Sequence, residues 1–238
     1  MTVVAWVALM APCPIATAET AEIEADRTMD VLQSVGKLLV PNVRYENGYA
    51  RHFDERCSAT LVSGEAEAME SRLILSAWHC IEYYRDLSKT LIYEQPGNPP
   101  VSARILVAGG SMRDDWVLLR LAKALPNPIP LPISTSTLSE PRSATQNGQL
   151  IMVGYPIDGE AERARVVVSN CVHTPSSGRD RGSSCVIERG ASGGAVFAGN
   201  SPLGEQPEYL GVISRGDRKS LSIYVPINRF RKKLAGYL

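Results

Sequence analysis

Short apolar runs separated by turn-forming residues recur along most of this chain, and they constrain its fold more than any other feature of the sequence. Runs of this length are typical of strands in an all-β barrel or sandwich. A last segment, Asn228–Leu238, has Phe230 and Leu234 on one face and is predicted to be a C-terminal helix. The predicted strands are Lys37–Val40, Ala59–Val62, Arg72–Ser76, Ala103–Val107, Trp116–Leu121, Gln149–Val153, Ala164–Ser169, Gly194–Ala198, Tyr209–Ile213 and Ile223–Ile227.

A proline-rich stretch, Leu125–Pro132, divides these strands into two groups. Proline cannot donate to a strand ladder, so this stretch is excluded as a central strand. It indicates an extended linker between two halves. A chain of 238 residues is long enough for one or two domains with a sizeable core.

Three short segments carry residues suited to acyl transfer. Ser192 lies within Gly190-Ala191-Ser192-Gly193-Gly194, where flanking glycines allow a tight turn that exposes the hydroxyl. His79 follows an apolar run and directly precedes Cys80. A glycine–serine run alone usually indicates a loop, and a lone histidine is more often a core residue.

An acid opens the apolar run between those two segments, at Asp114 or Asp115. Nucleophile, base and orienting acid are the three parts that acyl transfer requires. Of the three histidines, which also include His52 and His173, only His79 adjoins a cysteine that a disulfide would fix. The order along the chain is histidine, aspartate, serine.

Together the three segments resemble the chymotrypsin/trypsin family of serine proteases, which has the same order of residues. The resemblance spans about residues 34–228. It extends to the bacterial branch of trypsin-like peptidases, whose Cys-Ser-Gly-Thr-Leu-Ile and Gly-aromatic-Pro segments are similar to Cys57–Val62 and Gly154–Pro156.

The resemblance implies two six-stranded antiparallel β-barrels with a C-terminal helix. Barrel 1 would cover about residues 34–124, the linker 125–140, and barrel 2 with the helix 141–238. His79 would be the base and Ser192 the nucleophile, with the backbone N–H groups of Gly190 and Ser192 as the oxyanion hole. Aligned on its strand, the orienting acid is Asp115, and Asp114 is expected to be a solvated turn residue.

The substrate-binding residues follow from the same resemblance. The segment Ser214-Arg215-Gly216 is similar to the family strand that pairs with substrate backbone, with Ser214 beside Asp115 and Arg215 in place of an aromatic residue. Val186 and Ile187 occupy the specificity pocket, where trypsin has an acid, and Ile213 occupies the position of the histidine in glutamate-specific relatives. An uncharged residue before the scissile bond is therefore expected, although Arg189 and Arg215 could change this preference.

Ala191 stands where trypsin-type zymogens carry an aspartate, and no Ile-Val-Gly-Gly segment follows a basic residue near the N-terminus. In those zymogens a freed terminal amine pairs with that aspartate and shapes the oxyanion loop. Since both partners are missing, we expect a protease that is active without that cleavage.

Charge and ligand spacing bear on the partners. Lys plus Arg and Asp plus Glu are 25 each, so nothing favours nucleic acid or an anionic membrane. Cys-x-x-Cys and His-x-x-x-His spacings are missing, so no metal or other cofactor is expected. Proteins or peptides are the expected substrates, and the oligomeric state stays open.

The first residues have the pattern of an export signal. Residues 1–18 are predicted to be a signal peptide, with a small-x-small site at Ala16-Thr17-Ala18, although no basic residue precedes the apolar core. Residues 19–33 are predicted to be an N-terminal arm or pro-segment. No later run is long and apolar enough to cross a membrane, so we expect a periplasmic or secreted protein without stable membrane association.

Removal of that signal leaves four of the five cysteines. An even number after export indicates two disulfides, for which three connectivities exist. The resemblance implies the local pairs Cys57–Cys80 and Cys171–Cys185.

Two other functions compete with a secreted serine endopeptidase. A catalytically silent relative that binds peptides or proteins is one, although such relatives usually lose a member of the triad. An esterase is the other, but the esterase motif follows a βαβ pattern in the order serine, acid, histidine.

Overall fold

The computed structural model describes residues 33–64, 71–85, 88–133, 149–157, 166–175, 179–199 and 208–238. The predicted signal peptide, nearly all of the N-terminal arm and linker residues 134–140 lie outside this part of the chain. Within it the strands are β1 (Val35–Glu46), β2 (Tyr49–Ser63), β3 (Leu73–Ser76), β4 (Leu91–Glu94), β5 (Val101–Ala108), β6 (Val117–Leu121), β7 (Leu131–Pro132), β8 (Gln149–Gly154), β9 (Val166–Thr174), β10 (Arg181–Ser183), β11 (Ala195–Ala198), β12 (Tyr209–Gly216) and β13 (Ser222–Pro226).

The strands form two antiparallel barrels. The first has the order β1-β4-β5-β6-β3-β2 and closes through the β1–β2 pairing. The second is closed in the order β10-β13-β12-β11-β8-β9. The prediction of an all-β protein with two six-stranded antiparallel barrels is confirmed.

The proline-rich stretch contributes one short pairing to the first barrel. Leu131 and Pro132 form β7, which pairs with the end of β2 in parallel. Proline is tolerated there because β7 lies at the edge of the sheet, where one side of the strand needs no partner.

The β1–β2 hairpin extends well beyond the predicted strands. Its turn is Asn47-Gly48, and both residues have positive φ angles, 51° and 82°. Two such residues define the turn whose twist matches that of the paired strands. The ladder therefore continues to the pair Glu46 and Tyr49.

The C-terminal segment packs back onto the first barrel. The chain takes a 3-10 turn at Ile227–Arg229 and then forms one helical turn, α1 (Arg231–Leu234). Phe230 stacks on Trp116 with ring centroids 4.9 Å apart, and both rings are buried. The helix predicted over Asn228–Leu238 is thus too long, because the tighter turn is what brings Phe230 against Trp116.

Two disulfides cross-link the barrels internally. Cys57 in β2 is bonded to Cys80, and Cys171 in β9 is bonded to Cys185. These are the two local pairs that the resemblance implies. In the described part of the chain, no helix is long and apolar enough to cross a membrane.

Candidate active site

His79 and Asp115 make two contacts with each other in the first barrel. His79 lies in the 3-10 turn Trp78–Ile81, directly after β3. Its backbone N–H donates to Asp115 Oδ1 at 2.8 Å, and its Nδ1 lies 2.8 Å from Asp115 Oδ2. The carboxylate therefore fixes both the backbone and the ring of the histidine. With the proton on Nδ1, the Nε2 atom is left as a base.

Asp115 is fully buried, and the second barrel supplies a further donor to it. Ser214 Oγ donates to Asp115 Oδ2 at 2.5 Å. Burial by itself raises the pKa of this carboxyl, but the hydrogen bonds from His79 and Ser214 and the charge of His79 outweigh it, so the pKa lies below its usual value. Asp115 is consequently an anion at neutral pH.

Asp114 was expected to be a solvated turn residue, but its carboxylate is ion-paired. Its Oδ1 accepts from Arg229 at 2.6 Å, and Arg229 also binds Asp180 at 2.5 Å. Arg229 is mostly buried, which explains why it recruits two carboxylates. The two adjacent aspartates thus point to different partners, His79 for Asp115 and the C-terminal segment for Asp114.

Ser192 lines the same cleft as His79. Its hydroxyl donates to the Ser214 carbonyl oxygen at 3.2 Å. Within the described residues it makes no hydrogen bond to His79. In unliganded active sites such bonds are often long and tighten only when substrate binds.

The segment from Arg189 to Gly193 forms a tight loop. Gly190 has a φ of +94°, and a Cβ there would collide with the Tyr155 carbonyl oxygen. Gly193 has a φ of +85°, and a Cβ there would collide with Ser58 and Ser76. Glycine is therefore required at both positions. Within the described residues, the N–H groups of Gly190 and Ser192 donate to no protein acceptor.

A cleft of about 420 Å³ lies in front of these groups. Of the predicted substrate-binding residues, Val186 does not line it, and its side chain is 40% exposed elsewhere. Three residues that line the cleft were not predicted from the sequence, because they lie in connecting loops without a recognisable motif of their own: Met112, Glu188 and Arg218. The predicted residues that do line the cleft are Ile187, Arg189, Ser214, Arg215 and Gly216.

The cleft carries more basic than acidic side chains. Arg215 is bound to Asp180 at 3.0 Å and also donates to Ser214 Oγ at 3.2 Å. Arg189 and Arg218 are exposed and form no ion pair within the part of the chain that the structure describes. Glu188 is the one acid among the described residues that line the cleft.

One group of described residues has its potential metal-ligand atoms close together, namely Cys57, His79 and Cys80. Both cysteines are oxidised in the disulfide, so they offer no thiolate to a metal ion.

Two closed antiparallel barrels with this cleft between them define a protein of the chymotrypsin-like fold. A solved structure of this fold, the Rv3671c protease from M. tuberculosis in its active form, is similar to the chain with a TM-score of 0.58 and 13% identity. The alignment covers 98% of this chain and 93% of that one, and at this identity it establishes the fold alone. No protein-family model matches the chain, and no curated protein matches its sequence.

Proposed function

We propose that this protein is a serine endopeptidase that uses His79, Asp115 and Ser192. The observation that carries the proposal is the buried Asp115 carboxylate, which holds the backbone and ring of His79 at 2.8 Å beside a cleft that Ser192 also lines. A purely structural ion pair does not need a serine hydroxyl in the same cleft. The similar fold of a known protease supports the same class of reaction.

In the proposed reaction, Ser192 Oγ attacks the carbonyl carbon of the scissile bond while His79 Nε2 accepts its proton. The N–H groups of Gly190 and Ser192 stabilise the resulting oxyanion. His79 then returns the proton to the leaving amine, and the acyl-enzyme forms as the peptide bond breaks. Water hydrolyses the ester with His79 again as base, which restores Ser192.

The charge of the cleft supports a preference in the substrate. Ile187 is buried and offers no counter-charge to a basic side chain, so we propose an uncharged residue before the scissile bond. Arg189, Arg215 and Arg218 outnumber Glu188 along the rim. Acidic residues at neighbouring substrate positions would therefore be favoured.

The disulfides are compatible with export, because such bonds form and persist in oxidising compartments. We propose that the enzyme is periplasmic or secreted and that residues 1–18 are removed during export. Ala191 has no carboxylate to receive a new terminal amine, which supports activity without an Ile-Val-Gly-Gly-type cut.

A silent peptide-binding protein is the second candidate, and the Ser192–Ser214 hydrogen bond favours it, since that contact takes the hydroxyl away from His79. A fluorophosphonate probe separates the two functions. We expect the wild-type protein to be labelled and to digest a peptide library. Ser192→Ala should do neither but should keep its melting temperature, because the partly exposed hydroxyl of Ser192 contributes little to stability. Full proteolysis by purified Ser192→Ala would refute the assignment.

A further inference from the structure

Ser58 is buried in the first barrel, directly after Cys57, and it contacts the second barrel at three points. Its N–H donates to the Ser192 carbonyl oxygen at 2.7 Å. Its hydroxyl donates to the Gly190 carbonyl oxygen at 2.8 Å and accepts the Tyr155 N–H at 2.8 Å. The Ser58 hydroxyl thus uses its one donor and one of its two acceptor lone pairs.

Ser58 holds two alternate peptide groups of the loop that carries Ser192, the Gly190–Ala191 group and the Ser192–Gly193 group. Because a trans peptide directs its C=O and N–H in opposite directions, a partner for the carbonyl also orients the following N–H. The Arg189 carbonyl accepts from the Ile157 N–H at 2.9 Å, which directs the Gly190 N–H the other way. The Ala191 carbonyl accepts from the Gly194 N–H at 2.9 Å, which does the same for the Ser192 N–H.

The peptide group between those two donors is the Gly190–Ala191 group, and its carbonyl is the one that Ser58 Oγ holds. Gly190 itself provides little resistance to rotation, since glycine populates positive and negative φ about equally. The N–H of this peptide group makes a longer hydrogen bond to the Glu188 carbonyl, at 3.3 Å, so the 2.8 Å bond from the Ser58 hydroxyl is the stronger of the two contacts that set the relative direction of the N–H groups proposed as the oxyanion hole.

We propose that Ser58 is the positioning residue that keeps this loop competent for catalysis. It takes this role because position 191 is an alanine and offers no carboxylate that could hold the loop. This inference rests on the proposed function, because an oxyanion hole has a role only in such a reaction. The residue acts through Gly190 and Ser192 and does not contact substrate.

Ser58→Ala tests the inference, with Ser71→Ala as the matched control. The Ser71 hydroxyl is also buried, donates to the Val62 carbonyl and accepts the Leu73 N–H, but it makes no contact with the loop that carries Ser192 among the described residues. Each substitution removes a side-chain donor from a buried carbonyl and a side-chain acceptor from a buried N–H, so both should lower the melting temperature.

The expected difference is in kcat. Loss of one oxyanion donor costs about 10²–10³-fold, so misalignment of the pair in Ser58→Ala should lower kcat by about 10–100-fold with little change in KM. The pH profile should keep its shape because His79 and Asp115 are untouched. Binding of a peptidyl aldehyde, whose adduct places an oxyanion in the same hole, should weaken by a similar factor. Ser71→Ala should keep kcat.

A second pair of variants covers the case in which Ser58→Ala does not fold. Thr and Val have nearly the same shape and differ in the hydroxyl. We expect Ser58→Thr to retain most of kcat and Ser58→Val to lose it.

The outcomes separate the two proposals. Wild-type protein that neither hydrolyses peptides nor reacts with a fluorophosphonate would overturn the proposed function and this inference with it. Active wild type, with Ser58→Ala or Ser58→Val equal to its control in kcat and aldehyde affinity, would overturn the role of Ser58 and leave the function standing.

Discussion

Replacing each of the adjacent aspartates by asparagine distinguishes a residue that orients the histidine from one that anchors the C-terminal segment. Both changes remove one charge and keep the shape of the side chain. Asp115 receives three donors: the His79 N–H at Oδ1, and His79 Nδ1 and Ser214 Oγ at Oδ2. An asparagine has a single amide oxygen, so it cannot accept at both positions.

The backbone N–H of His79 is always a donor, so in Asp115→Asn the new amide oxygen should face it. The amide NH₂ group then faces Nδ1 and requires that atom to be an acceptor. The ring proton moves to Nε2, which can no longer take the proton of Ser192. In a well-studied triad, the same wrong tautomer lowers kcat by about 10⁴-fold. We expect a loss of that order for Asp115→Asn.

Asp114→Asn should have a small effect. It weakens one ion pair, with Arg229, and the Asp114 side chain is 38% exposed. Asparagine keeps an Oδ1 acceptor for Arg229, and the mostly buried guanidinium keeps Asp180 as a charged partner, so the loss should be about 1 kcal/mol. At about 2–4 °C per kcal/mol, the melting temperature should fall by a few degrees at most.

The assay is kcat on a peptide identified in the library digest, with thermal melts of both variants. Active sites are counted with the fluorophosphonate only in the wild type, since the Asp115→Asn protein should react slowly. Equal losses of kcat at both positions would refute the distinction. So would an Asp115→Asn protein that retains a tenth or more of the wild-type rate.

Two further predictions concern the covalent state of the chain. Replacing both cysteines of either disulfide by serine should lower the free energy of unfolding by about 3 kcal/mol, because Cys171–Cys185 and Cys57–Cys80 close short loops with sequence separations of 14 and 23. Peptide mapping without reduction should recover both disulfides. Free thiols or crossed pairs in the exported protein would contradict the structure. Residues 19–238, expressed in an oxidising compartment, should titrate as active immediately, because the loop at Ala191 is held by hydrogen bonds from Ser58, Ile157 and Gly194. Protein that stays inert until it is cut between Asp26 and Lys37 would show that the N-terminal arm inhibits it.

The barrel architecture could be predicted from the sequence because most of its strands are apolar. Among the strands that were missed, one is polar and one has only a short apolar run. β10 (Arg181–Ser183) is polar and pairs through its backbone, and β4 (Leu91–Glu94) has only four residues. The extension of β1 and β2 did have a signal, since Asn47-Gly48 is a strong hairpin turn, but the polar residues around it concealed the strands.

The candidate site was predictable only in part. His79, Asp115 and Ser192 could be predicted as candidates because each lies in a motif; the structure places His79 and Ser192 along one cleft and the buried Asp115 in contact with His79. Ser58 and Arg229 were not, because their roles depend on contacts between residues more than a hundred positions apart. Nothing in the local sequence around either residue specifies such a partner.

The position of Arg229 and Phe230 in the chain has a consequence for biosynthesis. The segment Asp114–Trp116 is synthesised about a hundred positions before its partners at residues 214, 229 and 230. Until they arrive, Trp116 lacks the ring that covers it and Asp115 lacks its serine donor. We therefore expect the His79–Asp115 arrangement to be complete only after the last turn has packed against Trp116.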